Sequence, residues 1–216
     1  MEIIDYGLCQ IVNLVNVFRP QGTAYLPEVA AKVAVRYQFA KPPNIDDLTK
    51  EIVKFQIGRF NDVQIAEFGL YNDGIIVNGK CPTEVLEEFL NDIFSFSEQE
   101  LKFKKILEYR NELHFESIVT VKSDTDLAAF IAPRAAGLIG KTLKDKVGIP
   151  YRPSGIVMDC DAGDVVASKI RRKPTRLFIE RKVGFEFKDN LFLCIAPLRT
   201  KDHLDLLTAL EREAHA

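Results

Sequence analysis

Apolar positions in the first 80 residues change their period several times. In GLCQIVNLVNVF, residues 7–18, β-branched side chains alternate weakly with polar ones, which predicts a strand, and RPQGT supplies a turn after it. From Leu26 the apolar positions Val29, Val33 and Tyr37 recur every four residues with Ala30 and Ala34 beside them, as on a short amphipathic helix. Val33, Val35, Tyr37 and Phe39 also alternate as a strand would, but length and alanine content favour the helix. NIDDLTKE predicts a helical turn capped by Asn44. Val53, Phe55 and Ile57 then alternate with Lys54 and Gln56. VQIAEFGLY and IIVNGK flank Asn72-Asp73-Gly74, and Asp-Gly supplies the positive φ angles of a tight hairpin, so residues 53–79 read as a β-meander.

PTEVLEEFLNDIFSF predicts a helix with Thr83 as N-cap and Val85, Leu86, Phe89, Leu90, Ile93 and Phe94 on one wide apolar face. Ser97 and Glu100 have capping-box spacing and predict a second helix start. HFESIVTVK, residues 114–122, alternates as a strand. Asp124 to Lys146 reads as helical, interrupted near Pro133 and loosened by Gly137 and Gly140. SGIVMDC, RLFIERKVGFEF and NLFLCIAPL predict three further strands, the last two separated by Lys188-Asp189-Asn190. Thr200 caps a closing helix with Leu204, Leu206, Leu207 and Leu210 as its buried positions. Irregularly interspersed helices around hairpins and meanders predict an α+β fold with a largely antiparallel sheet and a C-terminal helix, not a doubly wound parallel one.

At 216 residues and 47% apolar content the chain can bury a sizeable core. Its net charge is −2, but residues 1–100 hold 8 Lys+Arg against 15 Asp+Glu and residues 101–216 hold 21 against 16. An acidic part, residues 1–110, and a basic part, residues 111–216, follow from that asymmetry, as two parts or one continuous domain. The four cysteines, Cys9, Cys81, Cys160 and Cys194, have no metal-ligand spacing and read as small hydrophobes of a reducing compartment. No run approaches the ~18 apolar residues of a membrane span, so the expected location is cytoplasmic, with no membrane partner.

GLIGKT, residues 137–142, imitates a phosphate-binding loop, but Ala135 stands where that loop needs its first glycine and the segment before it reads as helix. Asp159-Cys160-Asp161 at a strand end resembles the nucleophile motif of haloacid-dehalogenase phosphatases over a handful of residues. Only 55 residues follow Asp161, too few for the rest of such a site. Asp159, Asp161 and Asp164 are candidate metal ligands, and carboxylates alone are an unselective signal. The blander reading is a strand end, a turn, and Asp164 as an N-cap for VVASKI. A Cys160/His203 nucleophilic pair is the remaining catalytic constellation, with nothing in the sequence to bring its members together. No cofactor is implied.

The strongest cluster is cationic. Lys169, Arg171, Arg172, Lys173, Arg176, Arg181 and Lys182 fall within 14 residues with one acid, Glu180. Pro174 implies a loop, and such a loop suits an acidic protein surface or a phosphate backbone. It lacks the interleaved aromatics that stack on bases, which places protein before nucleic acid. FIERK and FEFKDNLF alternate apolar and charged positions, so a bare sheet edge there would serve strand addition by a partner. The expected function is a non-catalytic adaptor or assembly subunit acting through protein contact or self-association. Nucleic-acid binding by residues 169–182 is the alternative, and a metal-dependent enzyme using Asp159, Asp161 and Asp164 the third reading.

Overall fold

The computed structural model describes residues 1–14, 26–71, 74–101, 112–128, 133–149 and 151–215. Among them it shows an α+β fold with nine strands in a largely antiparallel sheet and five helices, the last at the C-terminal side. The chain opens with β1, Glu2–Tyr6, where the sequence pattern predicted nothing. It divides into two compact units. The meander unit comprises Gly7–Ser117 and Leu198–Thr200; the second unit comprises Met1–Tyr6, Ile118–Pro197 and Lys201–Ala216.

In the meander unit, β2 (Cys9–Leu14), α1 (Leu26–Arg36), β3 (Ile52–Phe60), β4 (Val63–Tyr71), β5 (Gly74–Gly79) and α2 (Thr83–Gln99) precede β6 (Glu112–Lys122). The strand order is β3-β4-β5-β2-β6. Asn72 and Asp73 lie outside the described residues, but the ladder closes on Tyr71 opposite Gly74, as a two-residue hairpin does. The expected turn at RPQGT and the last four residues of the first expected strand also lie outside them. Ile11, Phe68 and Val77 share one face of the sheet, and α2 covers it with Leu86, Phe89, Leu90, Ile93 and Phe94. Phe68 and Phe89 meet edge to face at 5.6 Å. Burying each such side chain stabilises the fold by about 1.5–3 kcal/mol.

The register of β3 on β4 is unbroken, with Gln56 opposite Glu67 and Gly58 opposite Ile65, but Ile57 between them takes φ 57°, a conformation costly for a β-branched residue. Ile57 O accepts from Ala40 N at 3.0 Å, beside the reciprocal Lys41 and Gln56 backbone bonds of 3.1 and 3.0 Å. Gly58 lies so close under the Phe39 ring that no Cβ fits there.

In the second unit, β1 pairs the end of β6, Glu2 opposite Lys122 and Tyr6 opposite Val119. α3 (Pro133–Val147), β7 (Gly155–Met158), α4 (Ala162–Ala167), β8 (Leu177–Arg181), β9 (Leu191–Ala196) and α5 (Thr200–His215) follow, with strand order β6-β9-β8-β7. Val119, Val121, Leu127, Ile156, Ile179, Phe192, Cys194 and Leu207 form its core, with Met1 and Tyr6 packed on it. The Glu211 carboxylate is 7% exposed and accepts from the Met1 amino group at 2.9 Å, Ser123 Oγ at 2.6 Å and the Asp124 amide at 2.8 Å. Burial pushes its pKa up, but those hydrogen bonds outweigh the burial and hold it below the ordinary value.

Several local expectations are corrected. Asn44 does open a 3-10 turn, Ile45–Thr49, though with its amide donating to Asp47 Oδ2 at 3.0 Å. Pro82, not Thr83, holds the N-cap position of α2. Ser97 starts no new helix: α2 runs through it, and Ser97 Oγ donates back to Ile93 O at 2.7 Å, which spends the hydroxyl inside the helix. Pro133 opens α3 instead of interrupting a longer helix, as its missing N–H allows at a first position. The strand expected over RLFIERKVGFEF ends at Arg181, because Gly184 takes φ 89° and Phe187–Asp189 forms a 3-10 turn. His203 is fully buried and desolvation lowers its pKa to about 4, so it is neutral at pH 7.

Candidate interaction surface

β7 is four residues long and has β8 as its one strand neighbour in the sheet order. Gly155 sits opposite Glu180 and Met158 opposite Leu177. The Arg181 amide donates to Ser154 O at 2.8 Å, so Ser154 and Ile156 use their backbone groups on β8. By the same alternation Gly155 and Val157 turn theirs to the other edge, where nothing among the described residues pairs with them. Ile156 is buried beneath the strand, whereas Val157 is 57% and Met158 60% exposed.

The chain leaves β7 through Asp159. Its carboxylate receives Lys173 Nζ at 3.0 Å and Arg176 Nε at 2.8 Å, which fastens the basic loop to the end of the strand. The hydrogen bond from Lys173 first, and that from Arg176 after it, hold the Asp159 carboxyl below the usual range. Asp161, not Asp164, caps α4, its Oδ1 accepting from the Gly163 amide at 2.6 Å. Asp164 lies in the first turn, where a carboxylate suits the helix dipole. The three aspartates are thus a clamp on two cations, a cap and a helix-end charge. Among the described residues no group of three His, Cys, Asp or Glu side chains is arranged to hold a metal ion.

Five of the seven cations expected in the basic cluster are exposed on one loop: Lys169, Arg171, Arg172, Lys173 and Arg176. Lys169 takes φ 56° at the end of α4, so the chain reverses there. Lys182 is half-buried, its ammonium 6.0 Å from the Phe185 ring. Arg181 is not part of the exposed cluster. It is 7% exposed, paired with Asp126, with Nη1 donating to Phe187 O at 2.8 Å and its guanidinium 4.4 Å from the Phe187 ring. It neutralises an acid and pins the turn after β8.

GLIGKT lies within α3 and forms no loop. Cys160 is exposed and His203 buried, and no hydrogen bond joins them. What the sequence reading missed is apolar. Twelve of the nineteen large hydrophobic side chains exposed among the described residues lie between Leu138 and Phe187. Leu138, Ile139 and Val147 on α3, Val157 and Met158 on β7, Val166 on α4 and Val183 and Phe185 after β8 are among them. The signal was present in α3, whose apolar positions Leu138, Ile139, Leu143 and Val147 recur at helical spacing. Comparison with models of known protein families gives no match, and comparison with curated protein sequences gives none either.

Proposed function

We propose that the chain is a non-catalytic assembly or adaptor subunit that works through protein contact, with the free edge of β7 and its basic loop as the contact surface. One observation carries the reading: an uncovered edge strand displays Val157 and Met158 next to five exposed cations. Backbone groups at such an edge pair with an added strand, apolar side chains beside it gain from leaving water, and the cations select an acidic partner and raise the association rate. A solvent-facing surface with no partner has little reason to hold so much apolar area in one segment.

Against the competing nucleic-acid reading, Arg181 is buried and residues 169–176 carry no aromatic side chain to stack on a base. The test places a photoreactive amino acid at Met158 and identifies cross-linked proteins in the native cell extract. Specific protein cross-links that disappear when Val157→Pro removes the outward N–H are the expected result. No protein cross-link, together with salt-sensitive binding of a single-stranded oligonucleotide lost in Arg171→Gln/Arg172→Gln/Lys173→Gln, would overturn the proposal in favour of nucleic acid.

A further inference from the structure

The meander unit carries a second uncovered edge. β3 has β4 as its one strand neighbour, and its outer side receives the chain's own Lys41, which exchanges both backbone bonds with Gln56. Since Gln56 faces outward, so do Lys54 and Ile52, two and four residues back along an unbroken register with Gly69 and Tyr71. Continuing the Lys41 bridge would place Pro43 opposite Lys54, and proline has no N–H to give. The segment therefore leaves the strand, and a cleft of about 660 Å³ opens between Ala40–Asn44 on one side and Ile52, Lys54 and Gln56 on the other. Nothing among the described residues pairs with the outward backbone groups of Ile52 and Lys54.

This edge differs from β7 in charge. Asp46, Asp47 and Glu51 stand at the start of β3, where Lys50 pairs with Asp47 at 2.6 Å, while Lys54 farther along pairs with Glu67 at 3.1 Å. At the end of β7 stand Lys169, Arg171, Arg172, Lys173 and Arg176, fastened there by Asp159. We infer that the partner of the β7 edge is the β3 edge of a second copy of this chain, added antiparallel. Antiparallel pairing brings the start of one strand to the end of the other, so the carboxylates of one copy meet the cations of the next; parallel pairing would not. It also sets Ile52 and Val157, both exposed apolar side chains, on one edge-to-edge contact. Because the two edges differ, the contact is heterologous and a pair of copies retains one free edge of each kind, so copies join head to tail. A contact this short gives weak, concentration-dependent association. The inference rests on the reading of β7 as a protein-binding surface and adds who binds it.

The experiment uses the purified 216-residue chain in sedimentation velocity and light scattering across concentration and NaCl. Val157→Pro blocks the β7 edge and Ile52→Pro the β3 edge; both residues point their N–H outward, so neither substitution removes an internal ladder bond. The wild type is expected to form open oligomers that shorten with salt. Each variant alone should be monomeric, and their equimolar mixture should stop at a dimer, joined through the one intact edge of each kind. If either proline variant loses its fold by circular dichroism, charge reversal reads the same contact: Arg171→Glu/Arg172→Glu and Asp46→Lys/Glu51→Lys should each weaken association at least tenfold at low salt, and their mixture should recover it. A wild type monomeric at every concentration, a blocked variant that still self-associates, or a mixture that stays monomeric overturns the inference. A monomeric wild type that still yields Val157-dependent cross-links to another protein refutes the second-copy partner while leaving the proposed function standing.

Discussion

Thr83 and Thr200 cap one another. The Thr200 amide donates to Thr83 Oγ1 at 2.7 Å, and the Thr83 amide donates to Thr200 Oγ1 at 2.9 Å. Two residues 117 apart, each opening a helix, satisfy one another's first N–H groups, and Ser117 Oγ adds a bond to Thr200 Oγ1 at 3.2 Å. All three are buried, so water cannot replace a lost partner.

Thr200→Val keeps the shape and removes the acceptor, leaving the Thr83 amide unpaired. The expected loss is about 1–2 kcal/mol in urea unfolding. Thr83→Val should cost a similar amount, and the double variant less than the sum, since both remove the same reciprocal pair. Strict additivity would mean the two bonds are energetically separate.

Glu211 sets an acid limit on stability. Its folded pKa lies below the ordinary glutamate value of 4.5, so its contribution is complete above that pH and is lost as pH falls through the folded value. Glu211→Gln should lower stability at pH 7 by about 2 kcal/mol and flatten the fall of stability below pH 4.5, followed by chemical denaturation across pH.

His203 acts in a neighbouring window. With a folded pKa of about 4 against 6.5, the folded chain refuses a proton that the unfolded chain accepts between those values. Stability should therefore fall as pH drops from 6.5 toward 4, by about a factor of ten in the unfolding constant per pH unit, and be unaffected by this group above 6.5. His203→Gln should remove that slope; a slope unchanged in the variant would assign it elsewhere.

Asp159→Asn should loosen the basic loop without unfolding the chain, because the clamp is exposed and its cations stay solvated. Trypsin cleavage after Arg172 and Arg176 should accelerate while the midpoint of thermal unfolding stays unchanged. Equal cleavage rates in both proteins would show that the clamp does not restrain the loop.

The meander and α2 were legible because long alternating or four-residue periods leave few alternatives: Val53 to Gly79 and Val85 to Phe94 each repeat one pattern several times. β1 was not, since its five residues are mostly exposed and owe their strand form to pairing with β6, more than a hundred residues away. Thr83 and Thr200 were singled out as caps of their own helices, and local spacing could not show that each serves the other. The cationic run was legible as composition but not as placement. Strand alternation held the clue: Ile179 is buried on β8, so Arg181, two residues on, had to point inward as well. No spacing in the sequence told that Asp159 would meet Lys173 and Arg176, because the turn that brings them together depends on the Lys169 reversal.

Arg181 has a consequence for whatever meets the neighbouring edge. Held by Asp126, by Phe187 O and between the Phe187 and Phe192 rings, it keeps the turn after β8 in one conformation. A partner strand that docks beside β8 and β7 need not freeze that turn, so the entropy of ordering it is already spent in folding and does not weigh against association. The buried cation of the cluster is thus the one that orders this turn.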